Sequence, residues 1–248
     1  MNLLFLGTGT STGVPQIGCS CSTCTSADSR DNRLRSSVLI TEGETKILID
    51  CGPDLRQQLL TNEIDSVSAI LVTHDHYDHL GGLDDVRPLG DSQLYAEKRV
   101  LSVIKRNMPY CFAESKYPGV PLIHLNEITE DDFFIGGLKV VPIRIMHARL
   151  PILGFRIGKV AYLTDVKTLE DSSIDKLQHL DVLVINALRI KSHISHLSLS
   201  EAIEIALKTG AKRTFFTHMS HDIGLHEDVN KMLPKNMQLA YDGLQLSI

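Results

Sequence analysis

The residues of this chain with the clearest chemical potential stand in the run Thr73–His79, which reads Thr-His-Asp-His-Tyr-Asp-His. The run places three histidines and two aspartates within six residues, directly after the apolar stretch Ala69–Val72. Imidazole and carboxylate groups are the ligands that zinc, manganese and iron take in proteins. A solvated polar loop would leave them facing water, whereas a loop at the end of a buried strand directs them to one point. The run therefore predicts a metal site.

Three more potential ligands stand in the same kind of place. His147, Asp165 and His218 each end or directly follow a short apolar run that is typical of a buried strand. Sites in layered α/β proteins gather where strands end, so we expect these side chains to meet the histidines of the first run. One histidine at a strand end is more often an ordinary surface or core residue. Four coincident strand ends indicate one assembled site.

The order and spacing of these residues resemble the ligand set of the metallo-β-lactamase-fold hydrolases, and the resemblance covers nearly the whole chain. It implies an α/β fold, a four-layer αββα sandwich in which two sheets lie face to face with helices outside. The chain would form a single domain of this fold over residues 1–248, with the site along one edge.

The same resemblance implies a role for each ligand. The first metal would be held by His74, His76 and His147, the second by Asp78, His79 and His218, and Asp165 would bridge the two. Two cations that share a water lower its pKa to about 7, which makes hydroxide the expected nucleophile at neutral pH. The ligand types suit zinc, manganese or iron alike. Asp75 and Tyr77 alternate with the ligands, and we predict that they either support the imidazoles or are solvated.

A second cluster of ligand-type residues lies near the start of the chain. Cys19, Cys21 and Cys24 form a Cys-x-Cys-x2-Cys motif. In a reducing cytosol, clustered thiols are more often metal ligands than disulfides. Three thiolates leave a tetrahedral zinc one ligand short, and His221, three residues past His218, is the best candidate for the fourth. The alternative is a set of reduced thiols that bind no metal.

This cysteine loop narrows the resemblance to one branch. With Gly7–Thr10 and Gly13–Pro15 before it, the loop resembles that of the phosphodiesterases accessory to the carbon–phosphorus lyase pathway. That branch cleaves cyclic phosphodiesters, carries a structural zinc on three cysteines and one histidine, and has a late histidine that touches the scissile phosphate. His196 takes that position here, with His193 as its local rival. The resemblance implies that His196 contacts the phosphate and protonates the leaving group, so His196 and the metal ligand Asp78 are the predicted catalytic residues.

Composition excludes several other classes of protein. The chain has 248 residues, 25 Lys and Arg against 30 Asp and Glu, and a net charge of −5, so no broad basic face predicts binding to nucleic-acid polymers. No apolar run approaches the ~18 residues of a membrane span, and Met1–Gly7 lacks the basic leader of a signal peptide. We therefore expect a cytoplasmic protein with no membrane partner and no nucleic-acid partner beyond small nucleotides. The resemblance implies a small phosphodiester as the substrate. Relatives of this kind commonly form homodimers, and the resemblance allows one here.

Periodic apolar patterns predict interleaved strands and helices. Strands are predicted at Leu3–Leu6, Val38–Thr41, Lys46–Asp50, Ala69–Thr73, Val140–Ile145, Val160–Thr164, Val182–Ile185 and Arg213–Thr217. Helices are predicted at Asp54–Thr61, Glu97–Asn107, Leu199–Thr209 and Glu227–Leu233. Residues 85–134 are the least regular, and they suit a lid, a dimer contact or an ordinary surface connection.

Three functions compete at this point. The first is a metal-dependent phosphodiesterase that hydrolyses small, cyclic phosphodiesters. The second is a tRNA 3′-end endoribonuclease, whose late histidine motif resembles His196–Ser198, although the chain lacks a long Gly/Pro-rich insertion and is acidic. The third is a non-hydrolytic carrier like the pyrroloquinoline-quinone biosynthesis B proteins, which share a fold and a cysteine-rich loop. The complete set of metal ligands favours turnover over carriage.

Overall fold

The computed structural model describes all residues from Met1 to Ile248, which form fourteen strands, seven α-helices and three short 3-10 helices. The strands, in chain order β1 to β14, are Asn2–Gly7, Ser37–Glu42, Thr45–Ile49, Ala69–Leu71, Ser92–Ala96, Ile123–Glu127, Phe133–Ile135, Leu138–His147, Leu150–Ile157, Val160–Leu163, Val182–Asn186, Arg213–Thr217, Met237–Leu239 and Gln245–Ser247. The helices, α1 to α7, are Leu55–Thr61, Tyr77–Leu80, Lys98–Asn107, Pro109–Phe112, Asp171–Asp175, Leu199–Thr209 and His226–Met232. The 3-10 helices are Ser29–Asp31, Leu83–Leu89 and His221–Ile223.

The strands form two mixed sheets of seven strands each. The first has the order β14-β1-β2-β3-β4-β5-β6 and the second the order β13-β12-β11-β10-β9-β8-β7. In each sheet one half is parallel, from β3 to β6 in the first and from β10 to β13 in the second, and the other half is antiparallel. Each parallel half presents the ends of several strands at one edge, where side chains from different strands can meet.

Side chains alternate between the two faces of each strand and so build three apolar layers. Val38 and Ile40 of β2 join the cluster between the sheets, whereas Leu39 packs on the outer side under the helices. The rings of Phe5 and Phe215, one from each sheet, lie with their centroids 5.8 Å apart across the interface. The buried apolar surface between the sheets holds them face to face.

Helices cover the outer face of each sheet. On the second sheet α6 buries Leu199, Ala202 and Ala206, while on the first sheet α1 and α3 bury Leu55 and Val100. The predicted four-layer αββα sandwich is therefore confirmed. No helix of the chain has the length and the apolar character needed to cross a membrane.

All eight predicted strands and all four predicted helices are present, with ends within two residues of the expected positions. The prediction missed β9, which pairs along its whole length with β8. Pro151 and Gly154 interrupt its apolar pattern, and Gly154 is required because a Cβ there would lie 2.5 Å from Cδ2 of Leu163. Residues 85–134 also proved more regular than expected, since besides the predicted helix α3 they supply β5 and β6 to the first sheet and carry α4.

The backbone at the edge of the sheets is unusual where strands end. Asp50, Asp165 and His218 have φ values of 63°, 57° and 55°, in the left-handed region that residues other than glycine rarely adopt. Each follows a strand directly or by one residue, at β3, β10 and β12. Such conformations persist where the surrounding structure imposes them, and they cluster at functional sites.

Candidate metal centre

Four strand ends position the side chains of the centre. His74 follows β4 and is buried. Helix α2 begins at Tyr77, and its first turn directs the buried side chains of Asp78 and His79 into the protein. His147 is the last residue of β8. Asp165 and His218 follow β10 and β12, as the preceding section describes. The strands converge because the two sheets pack against each other, so all predicted ligands reach one edge of the sandwich.

The ligand atoms fall into two groups with one carboxylate between them. Within each group the potential ligand atoms lie within 4.8 Å of one another. One group is His74, His76 and His147, and the other is Asp78, His79 and His218. Asp165 lies within the same distance of His74 and His79, one member of each group, and its Oδ2 is 3.2 Å from His79 Nε2 and 3.3 Å from His218 Nε2.

Three of the imidazoles are oriented by a partner on Nδ1, which leaves Nε2 facing the centre. The partners are Thr73 Oγ1 for His74 at 3.0 Å, Asp50 Oδ2 for His79 at 2.7 Å and the Ser195 carbonyl oxygen for His147 at 2.9 Å. The Nε2 atoms of His74 and His79 are buried and make no hydrogen bond. An unpartnered buried nitrogen is costly unless something binds it. A hydrogen-bonded Nδ1 with a free Nε2 is the arrangement of metal-bound histidines, so these residues fit a metal.

The charges of the centre fit divalent cations as well. Burial alone would raise the pKa values of Asp78 and Asp165, but His79 and His218 beside them hold both pKa values below the usual range, so both carboxylates are ionised. Burial lowers the pKa of His79, and the charges of Asp78, Asp165 and Asp50 outweigh it and raise that pKa well above 6.5. Several buried carboxylates at one point require compensating positive charge, and a proton on His79 supplies only part of it.

Asp50 is a functional residue that the sequence prediction missed. Its side chain is fully buried and accepts hydrogen bonds from the backbone N–H and the hydroxyl of Thr73 as well as from His79 Nδ1. The signal was present in the sequence, because Asp50 ends the apolar run that forms β3 in the same way as Asp165 ends β10. The predicted strand Lys46–Asp50, however, includes Asp50 as its last residue. The structure shows that the residue instead orients a ligand from the far side of its ring.

His196 faces the centre and His193 does not. Nε2 of His196 lies 2.9 Å from Asp165 Oδ1, and its ring centroid is 4.7 Å from that of His147. His193 lies behind it, with its Nδ1 3.2 Å from His196 Nδ1. Burial lowers the pKa of His196 from the ordinary 6.5 to about 4, so the ring is neutral at pH 7. Because Nε2 faces a carboxylate, which accepts, Nε2 is the donor.

Asp75 and Tyr77 alternate with the ligands but do not hydrogen-bond to them. Asp75 forms an ion pair with Arg99. The Tyr77 ring lies over Gly81 and is 70% exposed. Of the two predicted alternatives, neither side chain supports an imidazole. Tyr77 is solvated, and Asp75 pairs with Arg99 instead.

The cysteine loop meets the C-terminal half of the chain at one point. Cys19, Cys21, Cys24 and His221 place their ligand atoms within 4.8 Å of one another, and no disulfide forms among the cysteines. The Sγ atoms of Cys19 and Cys21 each lie 3.3 Å from His221 Nδ1, close to the sulfur–nitrogen edge of about 3.5 Å that tetrahedral zinc bond lengths imply. Hydrogen bonds from the Cys24 backbone and from His221 lower the pKa of the Cys21 thiol to about 6, which favours the thiolate that a metal requires.

We expect Asp50→Ala to weaken zinc binding at the centre by about 10- to 100-fold, because His79 loses the partner that orients its ring. Competition with a chromogenic chelator measures the affinity, and circular dichroism checks that the variant is folded. Asp65→Ala is the matched control, since the Asp65 side chain is 87% exposed and lies on the surface. Equal zinc affinity in the folded Asp50→Ala protein and the wild type would contradict the role assigned to Asp50.

Two curated proteins are similar to the chain in sequence. An octanoyltransferase of Porphyromonas gingivalis is 44% identical over 254 residues, and the match covers 100% of this chain and 52% of that protein. A coenzyme PQQ synthesis protein B of Methylorubrum extorquens is 31% identical over 154 residues, which cover 56% of this chain and 50% of that protein. The chain thus spans about half the length of the curated relatives it matches.

Three solved structures are similar in fold. A new diphosphatase from the PhnP family is 41% identical with a TM-score of 0.93, over 99% of this chain and 96% of that one. Zinc-bound PqqB from Methylobacterium extorquens is 22% identical with a TM-score of 0.84, over 100% of both chains. The short form of human tRNase Z is 22% identical with a TM-score of 0.75, over 100% of this chain and 99% of that one. At 22% identity the last two similarities show the fold alone.

A family model described as a beta-lactamase superfamily domain matches residues 45–219, which include every residue of the two ligand groups. The match and the similarity to the PhnP-family diphosphatase confirm the family and the branch that the ligand motif and the cysteine loop predicted. Divalent metal binding follows from this family together with the clustered His and Asp side chains. The chain belongs to the beta-lactamase superfamily and has the metallo-β-lactamase fold.

Proposed function

We propose that this protein is a metal-dependent hydrolase, a phosphodiesterase that acts on small phosphodiesters, cyclic ones among them. One observation carries the proposal. Two groups of potential metal ligands lie around Asp165, and Nε2 of His196 lies 2.9 Å from the carboxylate of the same residue. Such a site can hold an anion and donate a hydrogen bond to it at once. The similarity to a diphosphatase at 41% identity supports a phosphoric ester as the substrate class.

The proposal includes two divalent cations at the centre, zinc, manganese or iron, held by the seven ligands His74, His76, Asp78, His79, His147, Asp165 and His218. When bound, the cations supply Lewis acidity toward the phosphoryl group and an activated water. The chain's own part is to present each ligand in the correct form. Thr73, Asp50 and Ser195 hold the imidazoles in place, and Asp78 and Asp165 remain ionised because histidines surround them.

His196 is the proposed contact for the phosphate and the leaving oxygen. Its ring is buried against His147 and His218, and its neutral form donates from Nε2 into the centre. An anionic phosphodiester beside the ring favours the charged imidazolium, which opposes the effect of burial on the pKa. The bound substrate thereby prepares His196 to protonate the departing alkoxide.

The proposal also includes a structural zinc at Cys19, Cys21, Cys24 and His221. His221 begins the 3-10 helix that follows β12 and the ligand His218. A metal there would bind the N-terminal loop to the segment that carries a ligand of the centre. The cysteine loop would then define one wall of the site rather than take part in the chemistry.

Other functions meet specific difficulties in this chain. The octanoyltransferase activity belongs to a protein of about twice the matched length, so this chain need not carry it. A non-hydrolytic carrier has no need of both ligand groups and His196 together. The tRNase Z similarity concerns the fold, and the net charge of −5 gives no basic face to grip tRNA.

The test of the proposed function is turnover of small phosphoric esters by protein loaded with zinc or manganese. The panel is bis(p-nitrophenyl) phosphate, a 2′,3′-cyclic nucleotide, diadenosine diphosphate, an octanoyl thioester and a precursor tRNA. We expect hydrolysis of the small phosphoric esters, and its loss in His76→Ala because the first ligand group is then incomplete. Activity on the thioester or on the tRNA alone would overturn the proposal, and inactivity of the fully metal-loaded protein on the whole panel would indicate a carrier.

We expect His196→Ala to lower kcat on the small phosphodiester by roughly 10²-fold, which is typical of the loss of a general acid. The metal content should not change, because His196 is not one of the seven proposed ligands. Metal analysis and steady-state kinetics on the same preparation measure both quantities. His124→Ala is the control, since His124 is exposed and lies on β6, the edge strand of the first sheet. Wild-type kcat in His196→Ala would remove the residue from the mechanism.

We expect Cys21→Ser to lose one zinc per chain and to lower the melting temperature, while the two-metal centre stays loaded. Ser22→Ala in the same loop is the control, because Ser22 offers no ligand atom to the cluster. Metal counting on dialysed protein and thermal unfolding give the two readouts. An unchanged zinc count in Cys21→Ser would show that the thiols bind no metal.

A further inference from the structure

Ser195 contacts two histidines of the centre through two different atoms. Its backbone carbonyl oxygen lies 2.9 Å from His147 Nδ1. Its hydroxyl oxygen lies 2.9 Å from His196 Nδ1. Because a carbonyl only accepts hydrogen bonds and a hydroxyl can also donate, these contacts act differently on the two rings.

The carbonyl contact determines where His147 carries its proton. A neutral imidazole has one N–H and one lone pair, and a nitrogen that faces a carbonyl must be the N–H. His147 therefore has its proton on Nδ1 and its lone pair on Nε2, the atom that faces the centre 3.9 Å from Asp165 Oδ1. This is the form that binds a metal.

His196 needs the opposite form. Its Nε2 faces the Asp165 carboxylate at 2.9 Å, and a carboxylate oxygen accepts, so Nε2 carries the proton. Nδ1 of the neutral ring then has the lone pair and requires a donor. The Ser195 hydroxyl, at 2.9 Å, is in position to donate to it.

His193 is the other group near this nitrogen, with its Nδ1 3.2 Å from both His196 Nδ1 and the Ser195 hydroxyl oxygen. The backbone N–H of Ser195 points at the same His193 nitrogen at 3.3 Å. That nitrogen is consequently an acceptor and has no proton to give to His196. The donor to His196 is the hydroxyl of Ser195.

The loop that carries Ser195 is held by the residues that directly follow it. The next-but-one residue, Leu197, donates its backbone N–H to the Val166 carbonyl at 2.9 Å, directly after Asp165. Ser198 then caps α6, with its backbone N–H bonded to Glu201 at 2.7 Å. Ser195 is thus fixed relative to the bridging carboxylate, and its two contacts do not depend on a mobile segment.

We propose that Ser195 is a positioning residue that sets opposite ring tautomers in the two histidines: its carbonyl keeps Nε2 of His147 free for a metal, and its hydroxyl keeps the proton of His196 on Nε2, toward the substrate. The inference rests on the proposed function only for the role of His196. Without the hydroxyl, the neutral ring of His196 is free to adopt the other tautomer. That tautomer directs a lone pair at an arriving anionic phosphate and removes the hydrogen bond that receives it before the ring gains its second proton.

The test compares Ser195→Ala, which lacks the hydroxyl and keeps the carbonyl, with Ser195→Thr, which keeps both. In zinc-loaded protein labelled with ¹⁵N-histidine, we expect the His196 ring to be the Nε2–H tautomer in the wild type and in Ser195→Thr, and a mixture of tautomers in Ser195→Ala. His196→Gln assigns the signal. We expect kcat on the small phosphodiester to fall about 10- to 100-fold in Ser195→Ala, as for other residues that orient a site histidine, with zinc content unchanged and rescue by Ser195→Thr.

His193→Ala is the matched control, and we expect it to retain the wild-type tautomer of His196 and kcat within a few-fold. A tautomer shift in His193→Ala instead of Ser195→Ala would overturn the inference in favour of His193. An unchanged His196 tautomer in Ser195→Ala would overturn it outright. The tautomer of His196 is read from the spectrum without any substrate. If the protein cleaved no phosphodiester, the proposed function would fail, and the spectrum alone would still decide the role of Ser195.

Discussion

The concentration of buried carboxylates and imidazoles at one edge of the sandwich is the constraint on which the rest of the site depends. Asp165 is almost fully buried and faces His79 and His218, while Asp50 is fully buried on the far side of His79. Charge of this density is costly to remove from water unless cations and hydrogen bonds compensate it. Divalent cations bind ionised carboxylates, such as those of Asp78 and Asp165, and unprotonated imidazole nitrogens. The arrangement is therefore unfavourable without metal and favours metal binding.

Which nitrogen of each histidine ring carries the proton matters at such a crowded site. A histidine binds a metal only through a nitrogen that has no proton, and it donates to substrate only through one that does. In this chain the outer partners differ accordingly: a carboxylate or a carbonyl accepts from Nδ1 of His79 and His147, whereas a hydroxyl lies against Nδ1 of His196. In the roles proposed for these residues, the same kind of side chain would bind a metal at two positions and donate to the substrate at a third. The partner behind each ring distinguishes these roles.

The packing of the two sheets holds the residues of the site in fixed positions. The layer between the sheets includes the facing rings of Phe5 and Phe215 and places the ends of β4, β8, β10 and β12 at one edge. Close packing also acts on the backbone, since a Cβ at Gly82 would lie 2.1 Å from the carbonyl oxygen of Gly52, just beyond α2. The ligand loop is consequently held by backbone contacts as well as by its side chains, and the ligands need little rearrangement to bind a metal.

The sequence by itself determined the ligand types and the strands before them, because apolar periodicity and the spacing of His74–His79 are local properties of the chain. The αββα architecture was implied by the family resemblance that this motif carries. Only the tertiary structure decided what stands behind each ring. The contacts of Asp50 with His79 and of Ser195 with His147 join residues 29 and 48 positions apart, and no local pattern encodes them. The pKa of His196 was decided in the same way, because burial among other histidines lowers it to about 4 and burial is a property of the folded chain.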